Sequence, residues 1–459
     1  MEINSVLIEK YNVPVPRYTS YPPANQFQSP FSELTYIRMI EESNTCLPEN
    51  IAIYIHIPFC DKICFYCGCN TMLYKGEDLV RNYINALKTE IHLLAGKIDK
   101  KRKVSQIHYG GGTPNAIDVS YIEEINQMLF DVFDFIPQPE IAIECHPAHI
   151  NELYLQRLLN ARFNRFSFGI QDFNVEVLKT VNRDLPAMPV TEIVAFLKRE
   201  NPSVSINLDF IYGLPGQTVA SFNATMQEAI AIQPDRLVTF SYAHVPWLKK
   251  HQQILEKKGL LTSNMKMDIF LSSRELLLQS GYQSVGLDHY VLPSDELSIA
   301  LNNNQLHRNF QGYCTRRTTG QVYAFGVSAI SQFENGYFQN IKETTPYIDL
   351  LKQGKLPLEK GLVLTPEQKI IRAVIEQIMC NKMIDLPAFC DEQKIKFDDF
   401  IRITQFTEQK IETFLSDNLI EFENKTLIVT EVGSFFIRNI AASFDPTYHQ
   451  QENQYSKSV

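Results

Sequence analysis

YIHIPFCDKICFYCGCN, residues 54–70, runs from the end of an apolar segment, IAIYIHI (51–57), straight into a loop with four cysteines. Cys60, Cys64 and Cys67 have the spacing C-x3-C-x2-C, and Cys69 follows two residues later. A zinc site would need a fourth ligand of matching geometry, usually from a second short-spaced Cys or His pair, and no such pair is obvious. Three thiolates on one tight loop instead suit three irons of a [4Fe–4S] cluster, leaving the fourth iron open. A structural zinc knuckle and metal-free buried cysteines are the plainer alternatives. The chain has nine cysteines, an odd number and a poor disulfide framework, and four of them fall within ten residues. In a reducing compartment such a cluster reads as metal-binding or catalytic.

Outward from this loop, short apolar runs alternate with amphipathic stretches. The runs are 51–57, VSQIHYGGG (104–112), IAIECHP (141–147), RFSFGI (165–170), SINLDFIYG (205–213) and RLVTFSYAH (236–244). Stretches between them, such as LVRNYINALKTEIHLLAGKI, carry helical apolar spacing. Six strand–helix units in succession predict an α/β fold with a parallel sheet, doubly wound or curled toward a barrel. Ligand sites of such sheets lie at the C-terminal ends of the strands, and nearly every run here ends in polar or glycine-rich residues. Gly110–Gly111–Gly112–Thr113–Pro114 follows the second run; its glycines permit close backbone approach and exposed amides, suited to a carboxylate or amino-acid ligand. It lacks dinucleotide G-x-G-x-x-G spacing. Glu144, Gln171 and Asp209 end or lie in the third, fourth and fifth runs. Each alone reads as a capped loop or satisfied core group; together they make a cage for ribose hydroxyls and an ammonium.

The remaining segments divide the chain. Residues 1–50, with prolines at 14, 16, 22, 23 and 30, read as an irregular arm. Residues 51–360 form the main domain, whose apolar segments at 282–291 and 322–333 extend the sheet. Residues 361–459 read as helices with two short strands around Asn424–Lys425, a winged-helix-like unit. It has no basic stripe, and the net charge is −9 with a pI of about 5.7, which argues against nucleic-acid and anionic-membrane binding. No apolar run approaches the roughly 20 residues needed to span a bilayer. No signal peptide is visible, so the cytoplasm is the expected compartment.

The cysteine loop after the first strand, with Tyr66 at an aromatic position before Cys67, resembles the radical S-adenosylmethionine superfamily. That resemblance implies a partial (β/α)6 barrel, a [4Fe–4S] cluster on Cys60, Cys64 and Cys67, and S-adenosylmethionine chelated at the open iron and cleaved to a 5′-deoxyadenosyl radical. Nearly the whole chain is similar to the oxygen-independent coproporphyrinogen III oxidase family. The segments carrying this are PRYTSYP (16–22), 54–70, HYGGGTP (108–114), FGIQDFN (168–174), VNR (181–183), LDFIYGLPGQT (208–218), SYAH (241–244), LHRNFQGY (306–313) and GVSAIS (326–331).

The implied reaction converts two propionates of coproporphyrinogen III to vinyls in heme synthesis, with a low-potential donor such as flavodoxin or ferredoxin, in a monomer. Family positions carry over to Tyr54, Gly111, Glu144, Ala243 and Ile330 around the S-adenosylmethionine on the cluster. Tyr66, Gly112, Thr113, Gln171, Arg183 and Asp209 would hold a second S-adenosylmethionine, Arg183 facing its carboxylate. Cys69 lies outside the ligand set and carries a role in turnover, with Tyr54 and Glu144 as catalytic partners. Arg17, His307 and Arg308 are candidates for the substrate's propionates. Two departures bear on substrate choice: His146, where the family more usually has an acid, and CTRRTTGQVYAFG (314–326), which brings in Arg316 and Arg317. A heme-binding chaperone of the same branch and a radical enzyme for another tetrapyrrole are the competing readings. The chaperones generally lack both the CGC cysteine and the PRYTSYP arm.

Overall fold

The structure is a computed structural model that describes residues 5–315, 321–449 and 455. The six apolar runs form six strands: β1 Ile51–Ile57, β2 Val104–Gly111, β3 Phe135–Cys145, β4 Arg165–Gln171, β5 Ser205–Tyr212 and β6 Arg236–Ser241. They pair in chain order and all in parallel. That order settles the choice left open by the sequence. A doubly wound sheet reverses direction at a switch point, whereas consecutive right-handed crossovers put every helix on one face and curl the sheet. The sheet grows to twelve strands. Gln321–Phe325 adds in parallel beside β1, and 330–333, 336–340 and 358–363 follow antiparallel; 289–291 and 283–285 extend the β6 edge.

Strand alternation sorts the side chains. Ile53, Ile55, Ile107, Tyr109, Ile141, Ile143, Phe166, Phe168, Ile206 and Leu208 are almost wholly buried and join one hydrophobic cluster with the surrounding helices. Helix Glu77–Ala95 contributes Val80, Tyr83, Ile84, Leu87, Ile91 and Leu94 to it, spaced along one face. Each such buried side chain stabilises the fold by roughly 1.5–3 kcal/mol. The other face carries Tyr54, His56, His108, Glu144, Ser167, Asn207 and Asp209. At the base of this inner face, Gln106, Glu140 and Arg165 interlock, with Arg165 Nη1 3.0 and 3.1 Å from the two Glu140 oxygens. The mouth is thereby left for the ligand site.

The N-terminal segment is more ordered than its prolines suggest. Ser5–Tyr11 and Glu33–Ser43 are helical, the latter burying Tyr36, Met39, Ile40 and Ser43. Their i, i+3, i+4, i+7 spacing is a helical signal that the prolines around it obscure. Tyr11, Val15, Tyr18 and Tyr21 share a second hydrophobic cluster with the C-terminal region. The Tyr18 and Tyr21 hydroxyls each donate to Asp445 at 3.1 Å. The C-terminal region has helices 366–381, 386–393, 397–404 and 408–416 and a three-stranded sheet of 383–385, 420–423 and 426–429, the last strand central. Asn424 and Lys425, with φ of 50° and 63°, make the tight hairpin turn of a wing. Strand 383–385 is too short to carry a periodic signal.

Candidate active site

The cysteine loop is closed at its base and gripped from two sides. Phe59–Cys60 pairs with Met72–Leu73, and the amides of Met72 and Tyr74 donate to Pro58 and Cys60 carbonyls, each at 2.8 Å. On one side Phe65 N donates to Val181 O and Asn182 Nδ2 to Ile63 O, both at 2.9 Å. On the other, His251 Nε2 donates to Cys67 O at 2.8 Å, Lys249 Nζ to Cys69 O at 2.6 Å and Gln252 Nε2 to Tyr66 O at 2.9 Å. All nine cysteines are free thiols. Burial pushes the Cys60 thiol up to about 11. Cys67 is held low by the Cys69 thiol hydrogen bond, with Lys249 and His251 adding positive charge. Among the described residues no three His, Cys, Asp or Glu side chains converge on a point that would hold a single ion. Three thiols set apart on one pinned loop suit the corners of a polynuclear cluster better than a tetrahedral zinc.

The glycine turn differs in its chemistry from the expectation. The amides of Gly112 and Thr113 are not free for a ligand: they donate to Ile57 O at 2.8 Å and Phe59 O at 2.9 Å. A Cβ on Gly112 would lie 2.5 Å from Pro58 O, one on Gly111 (φ +117°) 2.7 Å from the His56 ring, and one on Gly110 2.9 Å from a Glu144 oxygen. The glycines therefore let the turn press against the cysteine loop and the two inner-face side chains. Thr113 contributes its hydroxyl, 3.3 Å from Cys60 Sγ.

Three neighbouring strands place Tyr54, His108 and Glu144 side by side. The Tyr54 and His108 rings stack at 6.0 Å, and His108 Nε2 is 2.8 Å from Glu144 Oε1. The Tyr54 hydroxyl lies 3.1 Å from His56 Nδ1, whose Nε2 donates to Asn70 O at 3.0 Å. Glu144 keeps 44% of its side chain open, making it the accessible carboxylate of the inner face. Asp209 is the buried one: it accepts from Ser167 Oγ at 2.6 Å and Asn207 Nδ2 at 2.8 Å, and burial raises its pKa. His56 and His108 were legible from strand alternation, two residues from Tyr54 and Gly110. Lys249, His251 and Gln252 carried no sequence signal, since a loop distant in sequence delivers them.

Gln171 and Arg183 meet over Gly169, where a Cβ would lie 2.7 Å from Gln171 Nε2 and 2.9 Å from Arg183 Nη2. Gln171 Oε1 is buried without a partner. The Arg183 fork is engaged by protein, with Nη1 2.8 Å from the Tyr66 hydroxyl and 3.7 Å from Cys64 Sγ, and Nη2 on Gly169 O. Burial opposes its charge, but Tyr66 and Cys64 outweigh that and keep its pKa above normal. Ala243 O accepts from Gln252 Nε2 at 3.3 Å, the amide that also reaches Tyr66 O. Ile330 packs half-buried beside Phe27, Tyr337 and Leu362. His146 faces inward as a neutral acceptor, its Nδ1 3.1 Å from Ala148 N. Burial, then Arg183, His149 and Lys62, push its pKa down to about 2.

Beyond Ala243 opens a cavity of about 780 Å³, walled by the ends of β5 and β6, the arm and the C-terminal region. Arg17 and Arg308 line it; His307 does not. Successive residues of strand Leu306–Asn309 point to opposite faces, and His307 turns toward Glu376 at 3.8 Å. Arg316 and Arg317 lie outside the described residues.

Comparison with known proteins agrees with this arrangement. A sequence model of the Radical SAM superfamily matches residues 54–229. The chain is 36% identical to the oxygen-independent coproporphyrinogen III oxidase of Synechocystis, covering 99% of this chain and 97% of that one. It is 36% identical to the Helicobacter pylori (strain J99) protein of the same name, covering 98% of each. The solved Escherichia coli coproporphyrinogen III oxidase, described as a radical SAM enzyme, superposes with a TM-score of 0.88 at 34% identity, covering 98% of this chain and 100% of that one. With a pinned three-thiol loop at the mouth of a singly wound sheet and relatives matched along their full length, the chain belongs to the oxygen-independent coproporphyrinogen III oxidase family of radical S-adenosylmethionine enzymes.

Proposed function

We infer that this chain catalyses the oxygen-independent oxidative decarboxylation of coproporphyrinogen III, turning two propionates into vinyls and giving protoporphyrinogen IX. Each conversion removes a hydrogen atom, one carbon dioxide and one electron from a propionate side chain. When bound, the [4Fe–4S] cluster and S-adenosylmethionine supply a 5′-deoxyadenosyl radical able to take that hydrogen atom. The protein's part is to hold, orient and shield.

The observation that carries the reading is the join between the two halves of the site: Gln252 ties the cysteine loop to Ala243, which lines the large cavity. Cys60, Cys64 and Cys67 would hold the cluster, with Lys249 and His251 fixing the loop behind them. Tyr54, Gly111, Glu144, Ala243 and Ile330 are assigned to the S-adenosylmethionine on the cluster, Glu144 being the open carboxylate for its ammonium. Tyr66, Gly112, Thr113, Gln171, Arg183 and Asp209 are assigned to a second S-adenosylmethionine; the partnerless Gln171 Oε1 favours a ligand there. Arg183 can meet a carboxylate only by trading its bond to Tyr66 or Gly169. Cys69, beside Glu144 and Tyr54, is assigned a role in turnover. Arm and C-terminal region wall the cavity, where they can shield a reactive radical from water.

Among the described residues no helix is long and apolar enough to cross a membrane. The free thiols favour a reducing cytoplasm, and we assign a monomer served by an acidic low-potential donor such as flavodoxin or ferredoxin. The test is anaerobic incubation of reconstituted protein with reductant, S-adenosylmethionine and coproporphyrinogen III. Protoporphyrin after oxidation is expected; 5′-deoxyadenosine without any vinyl product overturns the assignment.

A further inference from the structure

The cavity wall is charged in one sense. Arg17, Lys266, Arg274, Arg308 and Arg438 line it, and Asp288 is the one carboxylate among the lining residues. This is a local reversal in a chain of net charge −9. Asp288 is already bound by His289 Nδ1 at 2.7 Å, and Arg274 by Glu431 at 2.9 Å. The other three arginines come from far-apart parts of the chain. Arg17 belongs to the arm and lines the cavity; its guanidinium makes no hydrogen bond or ion pair among the described residues, and Asp288 is the carboxylate that acts on it most. Arg308, from strand Leu306–Asn309, is 8% exposed, with Nη1 donating to Arg17 O at 2.8 Å and Nε buried without a partner. Arg438, from the C-terminal region, is 6% exposed and donates to Pro16 O at 3.1 Å and to Val15 O. Burial and then the charges of Arg17 and Arg308 push Arg438 down to about 9. Arg17 and Arg308 share the single carboxylate of Asp288, and with Arg438 beside them the excess positive charge marks a place completed by an anion. The rest of the wall sets apolar side chains, among them Leu261, Met267, Phe270 and Phe435, beside the hydroxyls of Thr239 and Ser241. The cavity therefore fits a broad apolar body with carboxylates on its rim, and the planar forks of arginine match carboxylates.

We propose that Arg17, Arg308 and Arg438 form one carboxylate clamp for the tetrapyrrole's propionates, and that filling the clamp and closing the arm over the cavity are a single event. The proposal rests on the reading above that the ligand is a polycarboxylate tetrapyrrole. Two of the three arginines hold arm carbonyls (Val15, Pro16 and Arg17), so like-charge repulsion within the trio works directly against arm docking. A bound carboxylate removes that repulsion.

Arg17 is the position to test, because it holds nothing else in place, whereas loss of Arg438 would also release the arm. The probe is coproporphyrin III, the fluorescent oxidised form of the substrate, titrated into the full chain. The Arg17→Gln variant should bind it about tenfold more weakly, and Arg17→Lys should recover part of the loss. In the unaltered chain coproporphyrin III should slow amide hydrogen exchange across residues 5–27, and in Arg17→Gln this protection should shrink. Equal melting temperatures would show that both variants fold. Binding by Arg17→Gln within twofold of the unaltered chain overturns the clamp while leaving the reaction assignment intact. Tight binding with no change in arm exchange overturns the coupling. If the unaltered chain fails to bind coproporphyrin III at all, the clamp and the substrate assignment fall together.

Discussion

Replacing Gly112 with alanine should damage the iron site without touching a ligand. The added Cβ would sit 2.5 Å from Pro58 O, 2.6 Å from Pro58 C and 2.9 Å from Phe59 O. All three are backbone atoms, so no side chain can swing away. Ordinary contact begins near 3.4 Å, so the turn must open by 0.9 Å (3.4 less 2.5). Opening it strains the bonds from Gly112 N to Ile57 O and Thr113 N to Phe59 O, which fix the two residues on either side of Pro58. Overpacking of this kind costs about 1–3 kcal/mol. The reduced freedom of the unfolded chain returns about 0.4–1 kcal/mol, too little to change the sign. Cys60 follows Phe59 directly, so the displacement reaches the first thiol. We expect Gly112→Ala to unfold at lower denaturant, with iron and sulfide per chain well below those of the unaltered protein after identical reconstitution. Gly96→Ala is the control: its Cβ meets nothing within 4 Å and its φ of −67° suits alanine, so it should be neutral or slightly stabilising. Gly112→Ala with unchanged stability and full iron would refute the argument that these glycines serve the cysteine loop.

Four further outcomes can be measured. Cys69→Ser should keep its iron and sulfide and lose turnover; loss of the cluster would make Cys69 a ligand. Lys249→Gln removes a positive charge bonded to Cys69 O, which should lower the cluster's midpoint potential by some tens of millivolts in a redox titration. An unchanged or higher potential would show that Lys249 only anchors the loop. His146 has a folded pKa near 2, far below the roughly 6.5 of an unfolded histidine. Its contribution is present above pH 6.5 and drains as pH falls, because only the unfolded chain takes up the proton. Between pH 6.5 and 5.0 the unaltered chain should lose about 1.5–2 kcal/mol more than His146→Asn in urea unfolding, Asn being an equivalent cap. Finally, Gly169→Ala should press on the Gln171 and Arg183 side chains and weaken S-adenosylmethionine binding by calorimetry while Cys60, Cys64 and Cys67 still load iron.

Much of the architecture was legible because strand and helix periodicities are strong in β1 to β6 and their connecting helices. Alternation along SINLDFIY, for example, already separates buried Ile206 and Leu208 from inward Asn207 and Asp209. The cysteine loop was legible because metal chemistry fixes residue type and spacing. The helix Glu33–Ser43 was missed because its proline-rich neighbours dominate that stretch. The true use of the GGG turn was hidden for a different reason: whether a glycine makes room for a ligand or for Pro58 and His56 depends on tertiary contacts. The same holds for Lys249, His251 and Arg438, whose importance comes from what they reach across the fold. His307 and Arg308 look equivalent in sequence, and only the direction of one short strand separates them.

The reaction assigned to this site removes a hydrogen atom from a propionate and releases the carboxylate as carbon dioxide. The most direct measurement uses coproporphyrinogen III deuterated at the propionate β-carbons, incubated anaerobically with reconstituted protein, reductant and S-adenosylmethionine. Deuterium is expected in the recovered 5′-deoxyadenosine, with one carbon dioxide released for each vinyl formed. Unlabelled 5′-deoxyadenosine, or label transfer without carbon dioxide, would contradict that assignment.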